Sequence, residues 1–338
     1  MDNNSPSSLE RYAQQLFGDW LKEDDVTEIA VNRPGEVWVE CRGVWQCHSV
    51  PMSFDDAERF AMTLAAYMDD TINDVKPVLS ATLPTGERVQ VVCPPAVERD
   101  TVSITIRKPA KFEFTHDQYR NSQFYTKVMS DAQEEDGIRQ QLLMLYRARR
   151  IPEFMELAVA AGKTIIIAGG TGSGKTSYMK MLIKYIPQNL RLITIEDNPE
   201  IHFYHHRNYV HLFYPSEADS TKGSTLTAAS LVRSCFRMKP SRILLAEVRG
   251  AETWDFYKAV GSGHSGSMTS VHAGSKEEAI EGLVTRCFQN PECQRLPYEV
   301  VKRIVLEQTD IICHIEAEGK DRWMGEIYYR DAEQEGVL

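Results

Sequence analysis

Gly169-Gly170-Thr171-Gly172-Ser173-Gly174-Lys175-Thr176 stands midway along the 338-residue chain and decides how the rest is read. An apolar run, Thr164-Ile165-Ile166-Ile167-Ala168, precedes it with the composition of a buried strand. Ser177-Tyr178-Met179-Lys180-Met181-Leu182-Ile183-Lys184-Tyr185 follows with helical character. A glycine-rich turn between a strand and a helix is the context in which this spacing becomes a phosphate-binding loop. The glycines let successive backbone N–H groups converge on an anion, and the helix N-terminus adds its dipole. Lys175 is placed to reach the β- and γ-phosphates and the Thr176 hydroxyl to hold Mg²⁺, with Gly169 through Ser177 as the cradle. The ligand implied is a nucleoside triphosphate, with ATP and Mg²⁺ the expected pair.

Composition is ordinary for a globular chain, at 42% hydrophobic and 25% charged residues, and its length suits two or three domains. The formal charge of −10 falls mainly on residues 1–150, with 17 basic against 24 acidic residues; residues 151–338 carry 21 against 24. An acidic balance argues against tight nucleic-acid binding, which needs a basic surface to neutralise phosphates. The seven cysteines form no C-x-x-C pair, so neither a zinc site nor a disulfide framework is expected, and a reducing cytoplasm fits. The polar tail at residues 1–8 lacks a signal-peptide pattern, and no apolar stretch approaches a membrane span.

Leu9, Tyr12, Leu16, Phe17, Trp20 and Leu21 recur at helical spacing. The stripe fits packing within the domain or against another subunit better than an in-plane membrane helix, because Asp19, Glu23, Asp24 and Asp25 would be repelled by anionic lipid. Strands are expected at Glu28–Val31, Val37–Glu40, Val44–Ser49, Val89–Val92 and Val102–Arg107, and a helix N-capped by Ser53. Residues 9–107 therefore read as an N-terminal α+β domain. Residues 108–150 read as a linker, with a helix-like stretch at Ile138–Tyr146. From 151 to 338 the pattern alternates. Helices are expected at 152–161, 176–185, 251–262, 276–289 and 297–308. Strands are expected at 164–168, 191–196, 243–247, 267–271, 310–316 and 323–329. Such alternation predicts the α/β class, a mainly parallel sheet with helices on both faces.

Hydrolysis requires a carboxylate near the attacking water, ligation for Mg²⁺ and positive charge at the γ-phosphate. Ile243-Leu244-Leu245-Ala246-Glu247 is a short strand ending in a carboxylate, and Glu247 is the candidate to orient or deprotonate water. Thr194-Ile195-Glu196-Asp197 ends another strand in clustered acids. His272 closes the stretch Gly261–Val271 at a strand end, where it can donate to the γ-phosphate. His264 and His272 lack the partners a metal site needs. His202, His205, His206 and His211 lie in an aromatic run, His202–Tyr214, that reads as an irregular packed segment.

The order of phosphate loop, Thr194-Ile195-Glu196-Asp197, Leu244-Leu245-Ala246-Glu247-Val248-Arg249 and Gly263-His264-x-Gly266…Thr269-x-x-His272-Ala273 resembles the secretion-superfamily ATPases. Leu83–Gln90, Pro94–Val97 and Ser103–Pro109 are similar to the N-terminal domain of the type IV secretion traffic ATPases of conjugation and effector export. The type II secretion and pilus motors are less similar, and the four-cysteine zinc element of the type II enzymes is missing. Ser241 stands where many relatives carry an acid.

The resemblance implies a RecA-like ATPase domain over 151–338 and a homohexameric ring at the cytoplasmic face of the inner membrane. Partners would be the other ATPases and inner-membrane subunits of a secretion system, with peripheral membrane contact. It implies that Glu247 positions the attacking water, that Glu196 helps hold Mg²⁺ or that water, and that His272 senses the γ-phosphate. Arg88 and Arg107 would close over the nucleotide from the N-terminal domain, and Arg237 would serve a neighbouring subunit's site. Three other readings stay open at this point. They are a docking switch without an essential hydrolysis cycle, a type II or pilus motor, and a nucleic-acid translocase.

Overall fold

In a computed structural model, which describes residues 8–110, 115–122, 124–126, 131–215 and 226–336, the chain passes twice through each of two units. The first comprises Met1–Pro109 and Gln188–Ala246, the second Ala110–Pro187 and Glu247–Leu338. Most of the expected polar tail and parts of the expected linker lie outside the described residues.

The first unit begins with α1 (Ser8–Lys22), whose Leu9, Ala13 and Phe17 are buried. Phe17 meets Phe60 edge-on at 5.3 Å, so the apolar stripe packs within its own unit. Six antiparallel strands follow: β1 (Val26–Val31), β2 (Glu36–Cys41), β3 (Val44–Ser49), β4 (Val78–Thr82), β5 (Arg88–Val92) and β6 (Ser103–Arg107), in the order β3-β2-β1-β6-β5-β4. Between β3 and β4, α2 (Phe54–Tyr67) starts at Ser53, which forms a reciprocal capping box with Asp56. The core between helices and sheet is Phe17, Ile29, Phe60, Leu64, Leu79 and Ile104, all buried.

The returning segment of this unit adds β8 (Leu192–Glu196), β9 (Tyr209–Phe213), α7 (Ala228–Cys235) and β10 (Arg242–Leu245). Here β10 and β9 each pair in parallel with β8. The His202–Tyr214 run thus contains a strand where an irregular segment was expected. His211 is buried in β9 because its Nδ1 lies 2.7 Å from the Thr194 hydroxyl and its ring stacks on Phe203 at 5.1 Å. Arg191, fully buried, ties this segment to the first: Nε donates to the Met238 carbonyl at 3.0 Å, and Nη1 to Asn32 and Asn208 Oδ1 at 2.6 Å each.

The second unit opens with α3 (His116–Asn121) and α4 (Asp131–Arg147) inside the stretch expected to be a linker. α4 is part of a core: Leu142, Leu143 and Leu145 are buried, and the Tyr146 ring sits 5.5 Å from Phe154 and 5.6 Å from Tyr329. The stretch Asp131–Asp136, inside the expected linker, forms the first turns of this helix. Then come α5 (Ile151–Ala160), β7 (Ile165–Gly169), α6 (Lys175–Leu182), α8 (Glu252–Gly261), β11 (Met268–Val271), α9 (Lys276–Cys287), α10 (Tyr298–Gln308), β12 (Ile311–Glu318), β13 (Asp321–Tyr329) and α11 (Arg330–Gln334). β7 lies between β11 and β12, parallel to both, while β13 turns back antiparallel to β12. Every residue of β7 is buried, as a central parallel strand requires.

Candidate functional site

The loop between β7 and α6 is shaped by two close approaches. A Cβ on Gly169 would stand 2.5 Å from the Ile315 carbonyl oxygen and 2.6 Å from Ser173 Oγ, so only glycine fits where β7 ends. Gly174 adopts φ +95° immediately before the helix, a left-handed turn that swings the chain into α6. Lys175 is the first residue of α6 and is buried; its Nζ donates to the Gly169 and Gly170 carbonyls at 2.9 Å each. Burial holds this ammonium below its usual pKa, and the Glu247 carboxylate acts against that shift.

Three residues singled out from sequence meet within the second unit. Lys175 Nζ lies 3.4 Å from His272 Nδ1. On the other side of the ring, His272 Nε2 lies 2.7 Å from Glu247 Oε1, at an angle that falls short of a hydrogen bond and leaves that buried oxygen without one. Glu247 Oε2 is bidentately held by Arg249, 2.9 Å from Nε and 2.8 Å from Nη2. The carboxylate therefore has one anchored oxygen and one facing the histidine. The backbone is fixed too: the Val248 N–H donates to the Ser270 carbonyl at 2.9 Å, and Glu252 Oε1 accepts from the amides of Arg249 and Gly250.

The remaining candidates belong to the first unit. Arg88 and Arg107 are directly opposed on β5 and β6, and both are exposed. Like charges so placed repel unless an anion joins them. Arg107 is partly neutralised by Glu28, whose Oε1 is 3.4 Å from its Nε. Glu196 is fully buried: Oε1 accepts from the Thr194 hydroxyl at 2.9 Å, and Oε2 from the amides of Glu200 and Ile201 at 2.9 Å each. Arg237 is exposed just beyond α7.

Sequence reasoning missed two contributors. Arg249 was quoted only within a motif, although it anchors Glu247. Arg322, near the start of β13, donates from Nη2 to the Gly172 carbonyl at 3.3 Å, yet nothing in its local sequence marks it.

The loop fits a phosphate tail. Ser173 Oγ is buried without a hydrogen-bond partner, and Lys175 bonds loop carbonyls that a phosphate oxygen would replace. Among the described residues no group of three or more His, Cys, Asp or Glu side chains could hold a metal ion. None of the helices among the described residues is long and apolar enough to cross a membrane.

The chain is similar to proteins of bacterial secretion systems. A family model described as Type II/IV secretion system protein matches residues 138–305. The type IV secretion system protein VirB11 of Brucella suis is 44% identical over 314 residues, covering 92% of this chain and 87% of that protein. The type IV secretion system protein PtlH of Bordetella pertussis is 39% identical over 328 residues, covering 94% of each. The crystal structure of the VirB11 ATPase of the Brucella suis type IV secretion system, in complex with sulphate, matches with a TM-score of 0.90 at 41% identity, covering 98% of this chain and 96% of that one. The fold is the α/β, RecA-like fold of secretion ATPases. These relatives favour neither a type II or pilus motor nor a docking switch. On this similarity, spanning nearly the whole chain, the protein belongs to the VirB11 family of type IV secretion system ATPases.

Proposed function

We propose that the loop at residues 169–176 binds Mg²⁺-ATP and that Glu247 directs its hydrolysis, powering or gating substrate export and pilus assembly by a bacterial type IV secretion system. The observation that carries this reading is the convergence of Lys175, His272 and Glu247, with one oxygen of Glu247 anchored by Arg249. Oε1 of Glu247 orients the attacking water and takes its proton. Water oxygen bonds to the γ-phosphorus as the β,γ-bridging bond breaks, leaving ADP and phosphate. Lys175 exchanges its two carbonyl partners for β- and γ-phosphate oxygens. His272, held between ammonium and carboxylate, reports the γ-phosphate. The Thr176 hydroxyl would hold Mg²⁺, which would supply positive charge to offset the charge developing on the phosphates.

Glu196 would reach the metal only by giving up the bonds that now occupy both oxygens, so its part is to hold the Asp197–Ile201 turn. Arg88 and Arg107 close on the γ-phosphate, which relieves their mutual repulsion, and Arg237 serves the neighbouring site of a hexamer at the cytoplasmic face of the inner membrane. The test combines Lys175→Ala and Glu247→Gln with phosphate release and binding of a fluorescent ATP. Lys175→Ala should lose turnover, and Glu247→Gln should bind ATP without hydrolysing it. Normal turnover in either variant refutes the assignment.

A further inference from the structure

The hairpin of β12 and β13 approaches the phosphate loop at both of its ends. Ile315 pairs with Gly169 in the parallel β12–β7 register, and its carbonyl oxygen is the atom that a Cβ on Gly169 would strike. This fixes the hairpin against the start of the loop. The chain then turns at Gly319 (φ +57°) and returns, bringing Arg322 to the loop's far end. Arg322 Cδ lies 3.4 Å from where a Cβ on Gly174 would stand, and Nη2 donates to the Gly172 carbonyl at 3.3 Å. Nη1 donates to the Lys320 carbonyl at 3.2 Å. No carboxylate among the described residues pairs with this guanidinium. Two of its five N–H donors are occupied by carbonyls, so three are free beside a cluster of backbone amides that itself attracts anions.

We propose that Arg322 binds the nucleotide in cis, contacting the α- and β-phosphates held over Gly172 and Gly174. The inference rests on the phosphate loop being the nucleotide site. Backbone amides at this part of such a loop face the α/β end of the tail, while the lysine reaches the β/γ end. Arg322 therefore contributes to the affinity of ADP and ATP alike. It raises affinity without entering the chemical step, in contrast to Lys175, Glu247 and His272.

The test measures dissociation constants of Mg²⁺-ADP and of an ATP analogue with a non-hydrolysable β,γ bridge, by calorimetry, for the full-length wild type, Arg322→Ala and Arg322→Lys. Steady-state kcat and KM for ATP are measured on the same samples. Removing one charge-assisted contact should weaken both ligands by about tenfold in Arg322→Ala. Arg322→Lys, which keeps a point charge but loses the fork, should recover part of that loss. KM should rise with kcat unchanged, and thermal unfolding without nucleotide should match the wild type.

Unchanged affinity for both ligands would overturn the proposal, leaving Arg322 as a brace for its own loop. Loss confined to the triphosphate analogue, or a fall in kcat with KM unchanged, would overturn it as well. So would equal loss of affinity and of unfolding temperature in both variants. Lys175→Ala, run alongside, separates the two readings. If it still hydrolyses ATP, the loop itself is misassigned; if it fails while Arg322→Ala binds normally, only the arginine is.

Discussion

Replacing Glu28 by Gln should stabilise the protein by about 3 kcal/mol at pH 8 and by less than about 1 kcal/mol at pH 5. Glu28 lies on β1 with 2% of its surface exposed, and its Oε2 is buried without a hydrogen-bond partner. Its Oε1 is 3.4 Å from Arg107 Nε and 3.9 Å from Lys239 Nζ. Burial raises the carboxyl from 4.5 to about 7; Lys239, Arg107 and Arg191 oppose the rise, and Glu40 adds to it. Desolvation wins because both cations stand beyond hydrogen-bond contact. The native state therefore holds this proton more tightly than the unfolded chain does. Below pH 4.5 both states are protonated and the residue costs nothing. As pH climbs from 4.5 to 7 the unfolded chain gives up its proton first, so stability falls, and above 7 the loss is complete. At 1.36 kcal/mol per pKa unit, this difference amounts to about 3 kcal/mol. Glutamine cannot ionise and escapes the penalty. Urea unfolding of wild type and Glu28→Gln, followed by tryptophan fluorescence at pH 5, 6, 7 and 8, should give curves that separate by roughly 2–3 kcal/mol across the series. A variant no more stable than wild type at pH 8, or destabilised equally at every pH, would refute the reasoning.

Arg191→Met should cost about 3–5 kcal/mol, because it removes a fully buried guanidinium whose donors serve Asn32 Oδ1 and the Met238 carbonyl, while Asn208 Oδ1 keeps only its bond from Asn32 Nδ2; denaturant midpoints measure it. Gly169→Ala should abolish nucleotide binding, since its Cβ would sit 2.5 Å from a backbone oxygen of β12 that no side-chain rotation can move; titration with fluorescent ATP checks this. Arg88→Ala and Arg107→Ala should each lower kcat for ATP by at least tenfold, on the order of one lost transition-state contact. Wild-type turnover in both would remove the proposed clamp.

The parts of this fold that were legible in sequence are those whose causes are local. Three isoleucines before a glycine-rich turn define β7, and the same few residues specify both the strand and the anion-binding amides. The strand-end placement of Glu247 and His272 was equally plain, since Glu247 closes a short apolar run and His272 a short apolar-polar one. β9 was obscured because His211 and Tyr209 stand where a buried strand usually carries aliphatic side chains. Its burial is made tolerable by Thr194 on the neighbouring strand and by Phe203, neither of which can be inferred from the run itself. α4 was legible in its second half, as the helix-like stretch Ile138–Tyr146, whereas the acidic, polar run before it carries no apolar periodicity.

The same distinction explains what was seen of the site. Lys175, His272 and Glu247 were each recognisable from their own segments, but their sequence of contacts was not, because it depends on how three segments meet. Arg249 follows Glu247 by two residues and is partly legible, since a basic residue so near a carboxylate at a strand end has few other places to go. Arg322 is the extreme case: it is separated from Gly172 by 150 positions and sits in an exposed, charged hairpin that composition alone would assign to solvent. What brings it to the loop is the register of β12 on β7, set by Ile311 through Ile315 packing as buried partners of Ile165 through Gly169. A guanidinium positioned by strand register leaves no local trace. Arginines reaching a phosphate loop from distant hairpins are therefore to be sought among the neighbours of the loop's central strand, not among its flanking residues.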